Sequence, residues 1–593
     1  MTQPDSAAAW LAQVRNLERR GELIQAYDTA LHGLDAFPND LWLQHRAVLC
    51  LAKAGATHRA QLELARHGLL DHPEAEIAAL EARIAKDEAL AAPAAERPAR
   101  FAKAADLYDR VYRRGGGYYP GINVATLRLL AGNRPEAERV AADVLRLCEA
   151  AKDDPYYVAV SRAEAYLVLG RAAEARRELA AAAGLTQDLA ARATTRRQLK
   201  LICAARGIDP GVLSPLAPPA VVHFTGHMIA AKGGGGRFTL DSEARAAREI
   251  VDLLARHGVG FGYGALASGA DILFAEALLA RGADLHVVLP FDLAEFKAVS
   301  VAPAGEDWLR RFDACMAKAA SVTYATDDRY LGHDRVFTYG SYVAMGLAVL
   351  RARFIDADVR QMAVWDGKPS VGVAGTGIDV TLWRDRGREV DIIDSGPPAK
   401  GGPVAASVAA AGSADGGREL RAMLFGDVKG FSKLHETEIP QFVSHVLGSF
   451  GCTLARYKDH VLLANTWGDG LFVVLDDPLA AAHCALDLQA DLAAVDLLAA
   501  GLPDTLALRL GGHFGPVFEI TDPVLHLTNY FGAHVSRTAR IEPVTPPGEV
   551  FVTEPFAARL ALGPGDFACD YVGQVPAAKG YGTMRMYNLR RGQ

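Results

Sequence analysis

Two carboxylates in the last third of the chain are placed for work on a polyphosphate. Asp427 ends the apolar run Met423-Leu424-Phe425, within Gly426-Asp427-Val428-Lys429-Gly430-Phe431-Ser432. Asp469 stands in Gly468-Asp469-Gly470, between Val461-Leu462-Leu463 and Leu471-Phe472-Val473-Val474. Taken singly, an aspartate after a strand is most often a helix cap, and Gly-Asp-Gly is most often only a turn. Two of them meeting at strand ends would hold two hard divalent cations against a triphosphate. That is the minimum equipment for phosphoryl or nucleotidyl transfer.

For both to reach one site, Met423–Phe425 must be a buried strand, next to a hairpin carrying Asp469 at its tip. The elements that supply them form the last of several domains, because 593 residues are too many for one core. Residues 1–212 read as helix throughout, rich in Ala, Leu, Arg and Glu at three- and four-residue spacing. A Gly followed five residues later by Ala recurs at Gly21/Ala26, Gly55/Ala60, Gly132/Ala137 and Gly170/Ala175, and Gly21 and Gly55 lie 34 residues apart. The pattern resembles tetratricopeptide repeats with degenerate motifs: the Gly ends one helix and the Ala lets the next pack closely. Such an array implies a scaffold or a sensor with a protein partner. Residues 218–397 alternate apolar runs (Val221–Phe224, Leu285–Leu289, Ser321–Tyr324, Met362–Trp365) with helical patterns (Ser242–His257, Asp271–Arg281), which predicts a doubly wound parallel α/β sheet. Residues 398–418, with Lys400-Gly401-Gly402-Pro403 and Gly416-Gly417, read as a linker, and 419–593 as the last domain.

Composition sets the bounds. Half the residues are hydrophobic, 22% are charged, and the net charge of -7 gives no basic footprint for nucleic acid. The seven scattered cysteines form no Cys-x-x-Cys pair, and their odd number fits a reducing, cytoplasmic setting. Met1–Asp5 lacks the basic and apolar regions of a signal peptide, and no apolar run is long enough to predict a membrane span.

The two aspartates have telling neighbours. Arg509-Leu510-Gly511-Gly512-His513-Phe514-Gly515-Pro516-Val517 follows them, then Asn529-Tyr530-Phe531-Gly532-Ala533-His534-Val535-Ser536-Arg537-Thr538-Ala539-Arg540-Ile541-Glu542, then Pro547-Gly548-Glu549-Val550-Phe551-Val552. In this order they resemble the catalytic domain of class III nucleotidyl cyclases, the adenylate/guanylate cyclase family, over about 419–590. The resemblance implies an α+β, ferredoxin-like fold in which Asp427 and Asp469, with the Val428 backbone, hold two Mg2+ or Mn2+ ions. A ribose 3'-hydroxyl then attacks the α-phosphorus of a nucleoside triphosphate and releases pyrophosphate. The backbone of Val428, Lys429, Gly430, Phe431 and Ser432, opening a helix, would donate to phosphate oxygens. Arg540 matches the transition-state arginine, whose fixed charged fork suits the developing charge. Lys579, in Lys579-Gly580-Tyr581-Gly582, matches a lysine for the terminal phosphates. Ser536 stands where the family has an asparagine, and Asn465 and Asn529 stand at the base-reading positions, where two amides impose no clear choice. ATP is the default substrate, with GTP or a pyrimidine nucleotide as alternatives. A catalytically degenerate, nucleotide-binding regulatory module is the competing reading. Because the family's site lies between two catalytic domains and this chain has one, the resemblance implies a head-to-tail homodimer.

The middle domain carries a second candidate site. Phe224-Thr225-Gly226-His227 ends its first strand, and Gly262-Tyr263-Gly264-Ala265-Leu266-Ala267-Ser268-Gly269-Ala270-Asp271 follows its second and opens a helix. The segment resembles the SLOG superfamily of Rossmann-like domains. That implies a nucleotide-like ligand lined by Thr225, Gly226, Ser268, Gly269 and Asp271, with Glu276 nearby. Gly233-Gly234-Gly235-Gly236 reads as a loop.

Overall fold

The computed structural model describes residues 6–19, 23–115, 117–230, 236–326, 329–370, 372–397, 417–576 and 583–592. Helices from Ala7–Arg19 to Leu189–Arg206 fill the N-terminal third. The Gly/Ala spacing has its expected cause. Gly55, Gly132 and Gly170 take φ of +76°, +87° and +78° in the turns that end a helix, and Ala60, Ala137 and Ala175 are fully buried in the helix that follows. Gly21 lies outside the described residues.

A parallel sheet follows, built from β1 (Ala220–Gly226), β2 (Val259–Gly264), β3 (Asp284–Leu289), β4 (Ser321–Tyr324), β5 (Val359–Trp365) and β6 (Val390–Asp394) in the order β4-β3-β2-β1-β5-β6. The direction of winding reverses between β1 and β5, so the doubly wound expectation holds. Two details differ from it. Gly262-Tyr263-Gly264 belongs to β2 rather than following it, because Tyr263 packs into the apolar core while both glycines sit flush against neighbouring side chains. Gly233–Gly235 and residues 398–416 of the expected linker fall outside the described residues, and Arg418 already begins the next strand.

The last domain is a mixed sheet of β7 (Arg418–Lys429), β8 (Val461–Trp467), β9 (Gly470–Leu475), β10 (Ala507–Thr521), β11 (Thr528–Phe531), β12 (Val550–Thr553), β13 (Phe567–Pro576) and β14 (Thr583–Arg591). Its order is β13-β14-β12-β10-β7-β9-β8, with β11 on β10. Side chains alternate between its faces, with irregularities in β8 and β13. Leu424, Val428, Val473, Leu510, Val552 and Tyr587 enter one core beneath the helices Pro478–Ala493 and Glu554–Ala561. Their sequence neighbours Asp427, Arg509 and Phe551 belong to the opposite face.

The middle and last domains share that core. The helix Arg335–Ile355 lies between the parallel sheet and the Glu554–Ala561 helix, close enough that a Cβ on Gly346 would strike the Ala558 carbonyl. The buried Tyr339 hydroxyl donates to the Phe514 carbonyl at 2.9 Å. Beside it runs a buried polar chain: Thr326 Oγ1 meets His534 Nε2 at 3.1 Å, His534 Nδ1 meets His513 Nε2 at 2.7 Å, and His513 Nδ1 meets Thr553 Oγ1 at 2.7 Å. Burial drives both imidazoles well below their ordinary pKa, so the chain is neutral. It ties the short helix Ala533–Thr538 to both domains.

Candidate active site

The sheet builds one carboxylate site. Asp427 lies near the end of β7, and β7 pairs antiparallel with β9 up to Gly426 opposite Leu471. The β8–β9 turn closes with Trp467 opposite Gly470, leaving Gly468 (φ +65°) and Asp469 at the tip. The expected hairpin therefore delivers Asp469 to Asp427, and the two carboxyls hydrogen-bond. Two further groups join them. Arg509 is directly opposite Asp427 in the β7–β10 ladder and forms an ion pair with it, and the Arg509 guanidinium also meets Glu542 Oε1 at 2.7 Å.

The electrostatics follow from crowding. Burial resists ionisation of Asp427, but hydrogen bonds with Asp469 and Arg509 and the guanidinium charge outweigh it and hold this carboxyl below its ordinary range. Burial, then the hydrogen bond and charge of Asp427, push Asp469 up to about 6. Burial also pushes Glu542 up to about 7, with the Arg509 charge opposing it and that of Asp427 adding to it. Three acids thus share one guanidinium, and two of them retain protons more tightly than a free carboxyl does. The cluster is short of positive charge, and its ligands are hard oxygens. Divalent Mg2+ or Mn2+ fits that donor set, with Asp427, Asp469 and the Val428 backbone as holders. Among the described residues no three His, Cys, Asp or Glu side chains form a ready-made metal cage, so substrate oxygens would complete the coordination.

The helix expected to open at Val428–Ser432 does not form there. Val428 and Lys429 continue β7, paired with Leu508 and Ala507. Gly430 (φ +100°) then breaks the strand, a 3₁₀ turn covers Phe431–Lys433, and helix resumes at Ile439. The cradle is a strand end and one tight turn. Asn465 lies on the edge strand β8 and its Oδ1 accepts from the Thr466 N–H at 2.9 Å. Asn529 lies on β11, where its Nδ2 donates to Asp522 at 3.0 Å. Their side chains are not hydrogen-bonded to each other within the chain. Ser536 is exposed on the Ala533–Thr538 helix and Arg540 half-buried in the turn after it. Lys579 lies outside the described residues. Sequence reasoning assigned no role to Arg509 or Glu542. Arg509 reaches Asp427 by strand pairing across the β7–β10 ladder and Glu542 comes from the 3₁₀ turn after Arg540, so neither carries a local signal.

The middle domain gathers the second set only in part. Thr225 Oγ1 donates to Asp379 Oδ2 at 2.9 Å, and the Ala267 N–H donates to Asp271 Oδ2 at 3.1 Å. Burial, then the nearby Asp379 charge against the Ala267 hydrogen bond, set Asp271 at about 7. Ser268 Oγ, Asp271 Oδ1 and Asp379 Oδ1 are buried with no hydrogen-bond partner. Gly226 packs on Ala270, and Gly269 (φ +103°) abuts the His227 carbonyl. Glu276 is excluded: both its oxygens bind Arg311 at 2.8 and 2.7 Å, away from this cluster. Asp379, not Glu276, is the acid beside Thr225 and Asp271.

Residues 418–591 match the family model of the adenylate and guanylate cyclase catalytic domain. Residues 20–128 match that of the tetratricopeptide repeats-sensor family. The last domain is therefore a class III nucleotidyl cyclase catalytic domain, and a tetratricopeptide-type region precedes it. Among solved structures, the adenylyl cyclase CyaB from P. aeruginosa is similar at 16% identity, covering 30% of this chain and 97% of that one with a TM-score of 0.28. The guanylyl cyclase Cya2 is similar at 21% identity over 30% of this chain and 95% of that one, TM-score 0.26. So is the guanylate cyclase domain of RhGC from Catenaria anguillulae, in complex with GTP, at 18% over 30% and 98%, TM-score 0.26. No curated protein matches the chain. No helix among the described residues is long and apolar enough to cross a membrane.

Proposed function

We propose that the chain converts a nucleoside triphosphate, ATP by default, to its 3',5'-cyclic nucleotide and pyrophosphate, under control of the helical (1–212) and α/β (218–397) regions. The observation that carries this is the Asp427–Asp469 contact facing Arg509 on one sheet face. Two divalent ions, Mg2+ or Mn2+, would supply activation of the ribose hydroxyl and neutralisation of the triphosphate. The chain does the rest. Against burial, hydrogen bonds with Asp469 and Arg509 keep Asp427 ionised, so the site carries an anion before substrate arrives. Arg509, already between two carboxylates, would exchange Glu542 for phosphate oxygens. Gly430 lets the chain turn closely beneath the phosphates. Arg540 would meet developing charge at the α-phosphorus, and Lys579 the terminal phosphates. Asp427 and Asp469 belong to one half of a site, and Arg540, Ser536 and Lys579 complete it from a second copy, making a homodimer with two equivalent sites. The α/β region is a SLOG-like module for a nucleotide-like ligand at Thr225, Gly226, Ser268, Gly269 and Asp271, and the seven free cysteines support a cytoplasmic setting.

The competing reading, a degenerate nucleotide-binding module, draws on Ser536 and on the Asn529 amide being taken by Asp522. All four triphosphates, offered together with Mn2+ and followed by mass spectrometry, separate the two and name the base. A cyclic product that disappears in Asp427→Ala supports the enzyme. Product that persists in Asp427→Ala refutes the carboxylate assignment, and no product from wild type favours the regulatory module.

A further inference from the structure

The helical region rests on the same face of the catalytic sheet as the carboxylates. Pleat alternation places Asp427, Arg509, Phe551, Asp570 and Met586 on that face, opposite the helices of the domain core. Ala54, in the turn after the Leu41–Lys53 helix, is buried in a cluster with Ile541, Phe551, Val572 and Met586. Next to it, Gly55 (φ +76°) comes so close that a Cβ there would lie 2.6 Å from Asp570 Oδ2. Gln25 Nε2 donates to the Gln574 carbonyl at 2.5 Å. Ile541 is the centre of this seat. It is fully buried, stands between Arg540 and Glu542, and presses on Gly511 so closely that a Cβ there would sit 2.6 Å from its own.

The other half of the face carries its own cluster, with Met423, Phe472, Val474, Val517 and Tyr530 buried and Val535 packed against them, while Trp467 stacks on Phe425 with ring centroids 6.0 Å apart yet is 56% exposed. In a two-fold pair the half carrying Asp427 and Asp469 meets the half carrying Arg540 on the other chain. The helical region covers the second of these halves.

We propose that this seat is a self-occupied docking surface: the helical region holds the place on the catalytic face that a second copy of this chain must take, so that seating and assembly exclude one another. This rests on the two-chain site proposed above. The occupant is small, Ala54 and Leu23 with the Gly55 backbone and the Gln25 amide hydrogen bond, which suits a contact built to be exchanged. The far end of the helical region is held separately, by Arg196 and Lys200 on Asp356 at 2.8 and 2.5 Å, so its seat can open while it stays attached to the α/β domain.

A reversible lock tests it in the full chain. An ideal Cβ on residue 55 lies 3.4 Å from the Asp570 Cβ, within disulfide reach, so Gly55→Cys with Asp570→Cys should cross-link on oxidation. Sedimentation and product formation are read together, with Asp570→Cys alone as control. The oxidised protein should stay monomeric and lose at least tenfold in turnover, and dithiothreitol should restore both. Ala54→Glu, which breaks the seat, should raise the dimer fraction and turnover severalfold. A locked protein that dimerises and turns over like its reduced form overturns the inference, as does an Ala54→Glu protein of unchanged circular dichroism and unchanged assembly. If no variant makes product while assembly still responds to the lock, the proposed activity fails and the exclusion stands.

Discussion

Asp271→Asn isolates one buried charge and predicts its worth. Asp271 is fully enclosed, faces Asp379, and has one donor, the Ala267 N–H, for its two oxygens. Asp379 is itself pushed up to about 6 by burial, against hydrogen bonds from Ser341 and Thr225. The folded chain holds the Asp271 proton up to about pH 7, whereas the unfolded chain releases it near 3.8. Between those values the native state binds more protons, so stability falls as pH rises and levels off above the folded pKa. The rise from 3.8 to about 7 corresponds to a ceiling of about 4 kcal/mol. Asparagine keeps the shape and the acceptor for Ala267 and offers an N–H to Asp379. The variant should therefore match wild type near pH 4 and exceed it by about 2–4 kcal/mol at pH 8. Urea unfolding followed by hydrogen exchange on β1 peptides reads the α/β domain directly. The difference between the two proteins carries the test, since other groups titrate alike in both. A variant less stable than wild type at pH 8, or a difference that does not grow between pH 4 and 7, would refute the reasoning.

Other outcomes are as definite. Arg509→Ala leaves Asp427 and Glu542 facing each other without their guanidinium, and kcat/KM should fall about 100- to 1,000-fold, as steady-state kinetics would show. Gly511→Val drives a methyl into Ile541 and should cost about 1–3 kcal/mol of stability in thermal unfolding, with turnover falling alongside. Tyr339→Phe removes the buried bond to Phe514 and should cost about 1 kcal/mol, seen as faster hydrogen exchange in both the Arg335–Ile355 helix and β10. Lys579→Ala should raise KM for the triphosphate more than it lowers kcat if the lysine binds terminal phosphates in ground and transition state alike.

Features legible in the sequence were those set by local chemistry. The Asp469 hairpin could be read because a Gly-Asp-Gly turn between two apolar runs has few other solutions, and the helix-ending glycines because a positive φ leaves its mark on one residue. What escaped depends on register and distance. Arg509 meets Asp427 only through strand pairing across 82 positions. Asp379 reaches Thr225 across 154, with nothing in its own surroundings to mark it. The missing helix after Asp427 is a case of tertiary override: pairing of Val428 and Lys429 with β10 prevails over the helix start that Gly-Phe-Ser suggests. The packing of Arg335–Ile355 against the catalytic helices also had no local sign, since its apolar residues read equally well as a helix serving its own sheet.

That shared helix changes what counts as the enzyme. A fragment beginning at residue 419 would lose the partners of Phe514, Ala558 and Leu560 and present their apolar surface to water. The catalytic unit is thus larger than the stretch that bears its motifs, with the α/β domain serving as one wall of its interior. The parallel sheet and the catalytic sheet are joined by one packed interior rather than by a linker alone.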